Sequence, residues 1–161
     1  MSRDVNGDNL LLRVKNEKGN MSLHEAFMNG HQVAAYYLIA VDLEVLYYLN
    51  NEVKSALFLA AKGGFLELVT HILCDTVGIE NTNERLKGTK VQYLLGRQSS
   101  SAIARDNNGL LPIHLASIKG HIDVVRALLQ YWPDSRELLN CRGQNILHVV
   151  AKSRGHNMGD F

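Results

Sequence analysis

The chain has two cysteines, two prolines and one tryptophan, and its Lys plus Arg count of 17 against 16 Asp plus Glu leaves a net charge of +1. Each scarcity excludes something. Cys74 and Cys141 stand far apart with no Cys-x-x-Cys spacing, so reduced thiols are expected rather than a disulfide framework or a structural zinc. With charge balanced and no run of five or six cations, nothing collects phosphates, and no nucleic-acid partner is expected. The longest uncharged apolar run, Val33–Val41, is about half of the ~20 residues a spanning helix needs, so the chain itself is not expected to insert into a membrane. Residues Met1 to Asp8 are polar and lack the apolar stretch of a secretory signal, which points to the cytosol. No Gly-x-Gly-x-x-Gly, Gly-Lys-Ser/Thr or Gly-x-Ser-x-Gly occurs, so no enzyme, cofactor or catalytic residue is expected. Apolar residues still make up 46% of the chain, enough for a continuous core.

What the chain has is a phrase repeated four times: Gly19-Asn-Met-Ser-Leu-His-Glu-Ala26, Val53-Lys-Ser-Ala-Leu-Phe-Leu-Ala60, Gly109-Leu-Leu-Pro-Ile-His-Leu-Ala116 and Gly143-Gln-Asn-Ile-Leu-His-Val-Val150. Leu23 and Leu57 stand 34 residues apart, as do Ile113 and Leu147, whereas Leu57 to Ile113 is 56. A fixed period in this range signals a solenoid of small stacked units. In the third unit, Asp106-Asn-Asn-Gly109 is a turn signal and Pro112 suits a helix N-terminus. Gly120 closes a short first helix, and Val124, Val125, Leu128 and Leu129 mark a second, amphipathic one. Ala34, Ala35, Leu38 and Ile39 repeat that pattern in unit one, and Leu68, Val69, Ile72 and Leu73 in unit two. Small residues at Ala26, Ala60, Ala61 and Ala116 fit close packing of helices from neighbouring units.

With Pro112-Ile113-His114-Leu-Ala116 as its nearest copy, the unit resembles an ankyrin repeat, whose phrase is Thr-Pro-Leu-His-x-Ala-Ala. The resemblance implies an all-α repeat solenoid, each unit a β-hairpin or turn plus two antiparallel helices. It makes Leu23, His24, Ala26, Leu57, Phe58, Ala60, Pro112, Ile113, His114, Ala116, Leu147 and His148 the structural motif, with the histidines bonding backbone groups in the hairpins. The family threonine is Met21, Ser55, Leu111 and Asn145 here, so the capping hydroxyl survives at Ser55 alone. Phe58 replaces a histidine, and Val53 replaces a turn glycine, which predicts a looser, strained second hairpin.

Asn16–Ala26, Tyr48–Glu52 with Leu57–Ala61, Pro133-Asp134 with Glu137–Asn140, and Gln144–Lys152 also resemble the plant accelerated cell death 6-like ankyrin-repeat membrane proteins. That likeness implies a role in defence or stress signalling. It also implies a plasma-membrane setting with repeats facing the cytosol; the family's C-terminal Pro-Gly-Gly membrane region is absent from this sequence.

The units are expected at about 16–49, 50–74, 106–139 and an incomplete 140–161, with an irregular loop at 75–87 and a half-unit at 88–105. Ser99–Ser101 reads as a linker, with phosphorylation beside Arg97 and Arg105 as the rival reading. A second helix after Lys152 is lacking, so several of Leu147, Val150, Val124 and Leu128 are expected to lose cover. That suggests a truncated or degenerate product of marginal stability as the alternative to a working module. Asp42, Glu44, Glu67 and Asp123 read as isolated carboxylates on solvated faces, and Tyr36, Tyr37, Tyr47 and Tyr48 as packing at helix ends.

The resemblance also implies a concave face of hairpin tips and first helices that meets a protein or peptide partner. Its residues are Glu17, Lys18, Asn20, Met28 and Asn29 in unit one, and Asn51, Glu52, Lys54 and Lys62 in unit two. Unit three contributes Asn107, Asn108, Leu110, Ile118 and Lys119. A metal-dependent enzyme built on the seven histidines is the remote alternative.

Overall fold

The computed structural model describes residues 11–77 and 104–156. These form seven α-helices: α1 (Ser22–Met28), α2 (Gln32–Val41), α3 (Ala56–Gly63), α4 (Leu66–Val77), α5 (Pro112–Lys119), α6 (Ile122–Tyr131) and α7 (Ile146–His156). Two 3-10 turns, Leu43–Tyr47 and Pro133–Arg136, follow α2 and α6. The expected half-unit at 88–105 and the Ser99–Ser101 segment fall almost wholly outside the described residues. So does the expected 75–87 loop, except that α4 carries helix on to Val77.

Each unit begins with the same turn. Asn16 N–H donates to the Asn20 carbonyl (2.9 Å) and Gly19 N–H to the Asn16 carbonyl (2.8 Å). The Asn16 side-chain oxygen accepts from Lys18 and Asn20 N–H. Asn50, Asp106 and Asn140 repeat this set in their own units. An Asx side chain that bonds the next backbone amides holds a turn that no sheet supports. Gly19, Gly109 and Gly143 take left-handed φ of about 70° there. Val53 takes the same conformation at φ 59°, the only non-glycine residue to do so among the described ones. The expected strain is real, because a β-branched residue loses about 1–2 kcal/mol in this region. The expected looseness is not: Val53 N–H still reaches the Asn50 carbonyl at 3.0 Å.

The first helices stack, α1 on α3, α3 on α5 and α5 on α7, while α4 packs on α6 behind them. Units two and three are therefore in direct contact despite the longer sequence separation. The small residues explain how closely the layers approach, with Ala26, Ala60, Ala61 and Ala116 all buried. Leu57, Leu59, Leu68, Val69, Ile72 and Leu73 make unit two the most enclosed part of the core. Phe27 and Phe65 stack across the first junction with ring centroids 6.1 Å apart. At the next junction the position of Phe65 is taken by His121, whose Nε2–H donates to the Lys62 carbonyl (3.1 Å). A Cβ on Gly64, at φ 73°, would lie 2.7 Å from that imidazole, so a side chain here would be strained and would displace His121.

Several expectations need correction. Val124 and Leu128 stay buried, because α4 covers them from the unit-two side. Leu147, at 71% exposed, does lack cover as expected, while α7 turns Ile146 and Val149 inward. Asp42 is not solvated: it is 6% exposed, receives Arg13 Nε at 2.6 Å, and caps the 3-10 turn by accepting from Glu44 N–H. Glu44 binds the same guanidinium at 2.9 Å. Arg13 also lies 5.9 Å from the Tyr48 ring centroid. Tyr37 is exposed rather than packed, while Tyr36 meets His71 edge-on.

Candidate functional site

The candidate surface runs along the hairpin tips and the outer side of the first helices. Glu17, Lys18, Met28, Asn29, Asn51, Glu52, Lys62, Asn107, Asn108 and Lys119 are exposed on it, and Lys54, Leu110 and Ile118 are half-buried. Asn20 is the exception. It is 3% exposed, donates to Glu25 Oε1 (2.8 Å) and accepts from Asn50 Nδ2 (2.8 Å), so it is spent on joining hairpins one and two. The amide hydrogen bonds of Asn20 and then Asn16 pull the Glu25 carboxyl below its ordinary pKa.

The tips are tied to one another in succession. Asn51 N–H donates to the Lys18 carbonyl (3.1 Å) and its side chain to the Glu17 carbonyl (3.1 Å). Asn107 makes the equivalent pair with Glu52 and Asn51, both at 3.4 Å. At the last junction a thiol takes over, with Cys141 Sγ donating to the Asn108 carbonyl at 2.9 Å. These side chains hold the face together, while Asn29 bonds Glu25, Asn108 bonds Asp106 and the Met28 sulfur meets Asn20.

The motif residues lie behind this face. Met21 N–H donates to His24 Nδ1 (3.2 Å), which places the proton on Nε2 for the Lys54 carbonyl (3.2 Å). His114 Nδ1 accepts from Leu111 N–H (3.3 Å), but its buried Nε2 finds no acceptor. The Gln144 backbone, counterpart of Lys54, opposes the fall in the His114 pKa without closing such a bond. Burial is the main force pushing both histidines below their ordinary pKa. His148 departs from the expectation: it is exposed and pairs with the Asn145 side chain (2.7 Å), not with a hairpin carbonyl. Ser55 Oγ caps α3 by accepting from Phe58 N–H (3.1 Å), as expected. Asn145 does the same for α7 through Leu147 and His148 N–H, a cap hidden from a search for hydroxyls.

Between hairpins three and four the face opens into a hollow of about 360 Å³. Asn108, Leu110 and Ile118 of the expected face line it, together with Asn140, Arg142, Gln144, Val149 and Lys152, which were not among the expected residues. They were findable, since they occupy the unit-four positions of Asn50, Glu52, Lys54, Leu59 and Lys62.

The family model described as ankyrin repeats (3 copies) matches residues 83–160. The fold is an ankyrin-repeat solenoid. The same turn, paired helices and stacking direction in residues 16–77 extend the ankyrin architecture N-terminal to the matched segment. Among the described residues, no three His, Cys, Asp or Glu side chains gather as a metal site would require. No helix among them is long and apolar enough to cross a membrane.

Proposed function

We propose that this chain is a non-catalytic protein–protein interaction module that needs no cofactor and uses the concave face of its hairpins and first helices. The observation that carries this reading is the continuity of that face. Units two and three stack directly and their hairpins are tied by Asn107, so tips from all four units line one surface. Supporting it, His24 and His114 behind the face are buried and spend their Nδ1 atoms on accepting from Met21 and Leu111 N–H at the starts of the first helices. The likeness to the accelerated cell death 6-like proteins extends the reading to plant defence or stress signalling, with the repeats on the cytosolic side of the plasma membrane. Affinity capture from plant extract tests it. Wild type should retain a discrete partner that the double variant Leu110→Glu, Ile118→Glu loses while keeping its helical circular dichroism. Equal retention by the folded variant would remove this face from the interaction.

A further inference from the structure

The hollow between hairpins three and four differs in chemistry from its equivalent between hairpins one and two. At the first junction the position of Leu110 is Asn20, whose amide is buried in a network with Glu25, Asn50 and the Met28 sulfur. The position of Arg142 is Glu52, which pairs with Lys54. That hollow is thus plugged by a polar network, and its charges are neutralised internally. At the last junction both plugs are missing. Leu110, Ile118 and Val149 leave an apolar floor, and Gln144 stands in the place of Lys54. The two ionic side chains on the rim, Arg142 and Lys152, are both cations, and no carboxylate lines the hollow. Among the described residues neither of them pairs with an acidic group.

We propose that this hollow receives an acidic peptide segment of a partner protein, with one large apolar side chain on Leu110, Ile118 and Val149 and flanking carboxylates against Arg142 and Lys152. The inference rests on the interaction reading above and adds the chemistry of the partner. Apolar contact supplies the anchor, and the unpaired cations select against basic sequences. Arginine suits the task because its guanidinium grips a carboxylate with two parallel hydrogen bonds.

The test uses the full chain and fluorescein-labelled peptides sharing one central Leu-Phe pair, flanked by Asp and Glu, by Asn and Gln, or by Lys. Fluorescence anisotropy should show binding of the acidic peptide, about tenfold weaker binding of the amide peptide and none of the basic one. Arg142→Glu and Leu110→Asn import residues that hairpins two and one already carry, so both variants should keep their urea midpoints near that of wild type. Each should weaken the acidic peptide about tenfold. Equal binding of the acidic and amide peptides would overturn the charge selection. Acidic binding indifferent to both substitutions would overturn the hollow as its site yet leave the interaction reading intact. If none of the three peptides binds, the proposal fails, and the capture experiment with Leu110→Glu, Ile118→Glu still judges the interaction reading separately.

Discussion

Hairpins one and two follow the same backbone path with different residues at the critical position. Gly19 and Val53 both sit at left-handed φ, 71° and 59°, and both donate to an asparagine carbonyl three residues back. The turn is therefore dictated by the asparagine that opens it and by the layers on either side, and the fourth residue sets only how much strain results. The neighbouring junctions record the difference. Across Gly19 the backbone bond between tips is 3.1 Å, and across the Val53 hairpin it is 3.4 Å. A Cβ at Gly19 would fall 2.2 Å from the Asn51 side-chain oxygen and 2.8 Å from its backbone nitrogen. Hairpin one is closed to any side chain, whereas hairpin two has accommodated one.

Making hairpin one like hairpin two should have the largest effect. Gly19→Val adds left-handed strain to a contact with backbone atoms that cannot yield, and about 3 kcal/mol should be lost in urea unfolding. Asn50→Ala comes next. It removes the acceptor for Glu52 and Lys54 N–H and the donor to Asn20, and should lower stability by about 2 kcal/mol. Asn16→Ala, in the hairpin where glycine needs no help, should have a smaller effect. The reverse exchange, Val53→Gly, should raise stability by about 1 kcal/mol. Relief of strain there is partly offset by the greater freedom of glycine in the unfolded chain.

The smallest effect is a pH dependence at the clasp on hairpin two, where His24 reaches the Lys54 carbonyl. Burial lowers the folded-state pKa of His24 and of His114, so the unfolded chain takes up the proton first. Stability is then fully present above the ordinary histidine value of about 6.5 and falls as pH drops below it toward the folded-state values. Protonation would also cost His24 Nδ1 the bond it accepts from Met21 N–H. The urea midpoint should fall as the pH drops from about 7.5 to about 5, the window around that value. The decline should be shallower in His114→Phe, which imports the residue unit two already carries at Phe58. An identical decline in that variant would remove His114 from the pH response.

The repeat phrase, the paired helices and even the strain at Val53 were legible in the sequence, because each depends on residues within a single unit. What escaped depends on residues that meet only after stacking. Asn20 looked like a surface amide because its partner Asn50 lies 30 residues away. Asp42 looked solvated because Arg13 precedes the first repeat and belongs to no motif. The spacing of 56 between Leu57 and Ile113 did not reveal that α3 packs on α5 directly, because that contact exists only in the stacked chain. The hollow beside Arg142 was missed for another reason: unit four looked incomplete, so its face went unmapped although its positions follow from unit two.

The direct contact of units two and three also bears on how the chain finds its fold. Cys74 Sγ and the Tyr131 hydroxyl meet at 2.8 Å across 57 residues, against 34 for an ordinary step between units. Loop-closure entropy grows only as the logarithm of length, so lengthening the step from 34 to 56 adds about 0.4 kcal/mol to bringing the two layers together. That is less than the strain stored at one valine. The point where α4 ends is thus a place where added sequence is thermodynamically cheap, and a solenoid can accept it there without giving up the continuity of its stack.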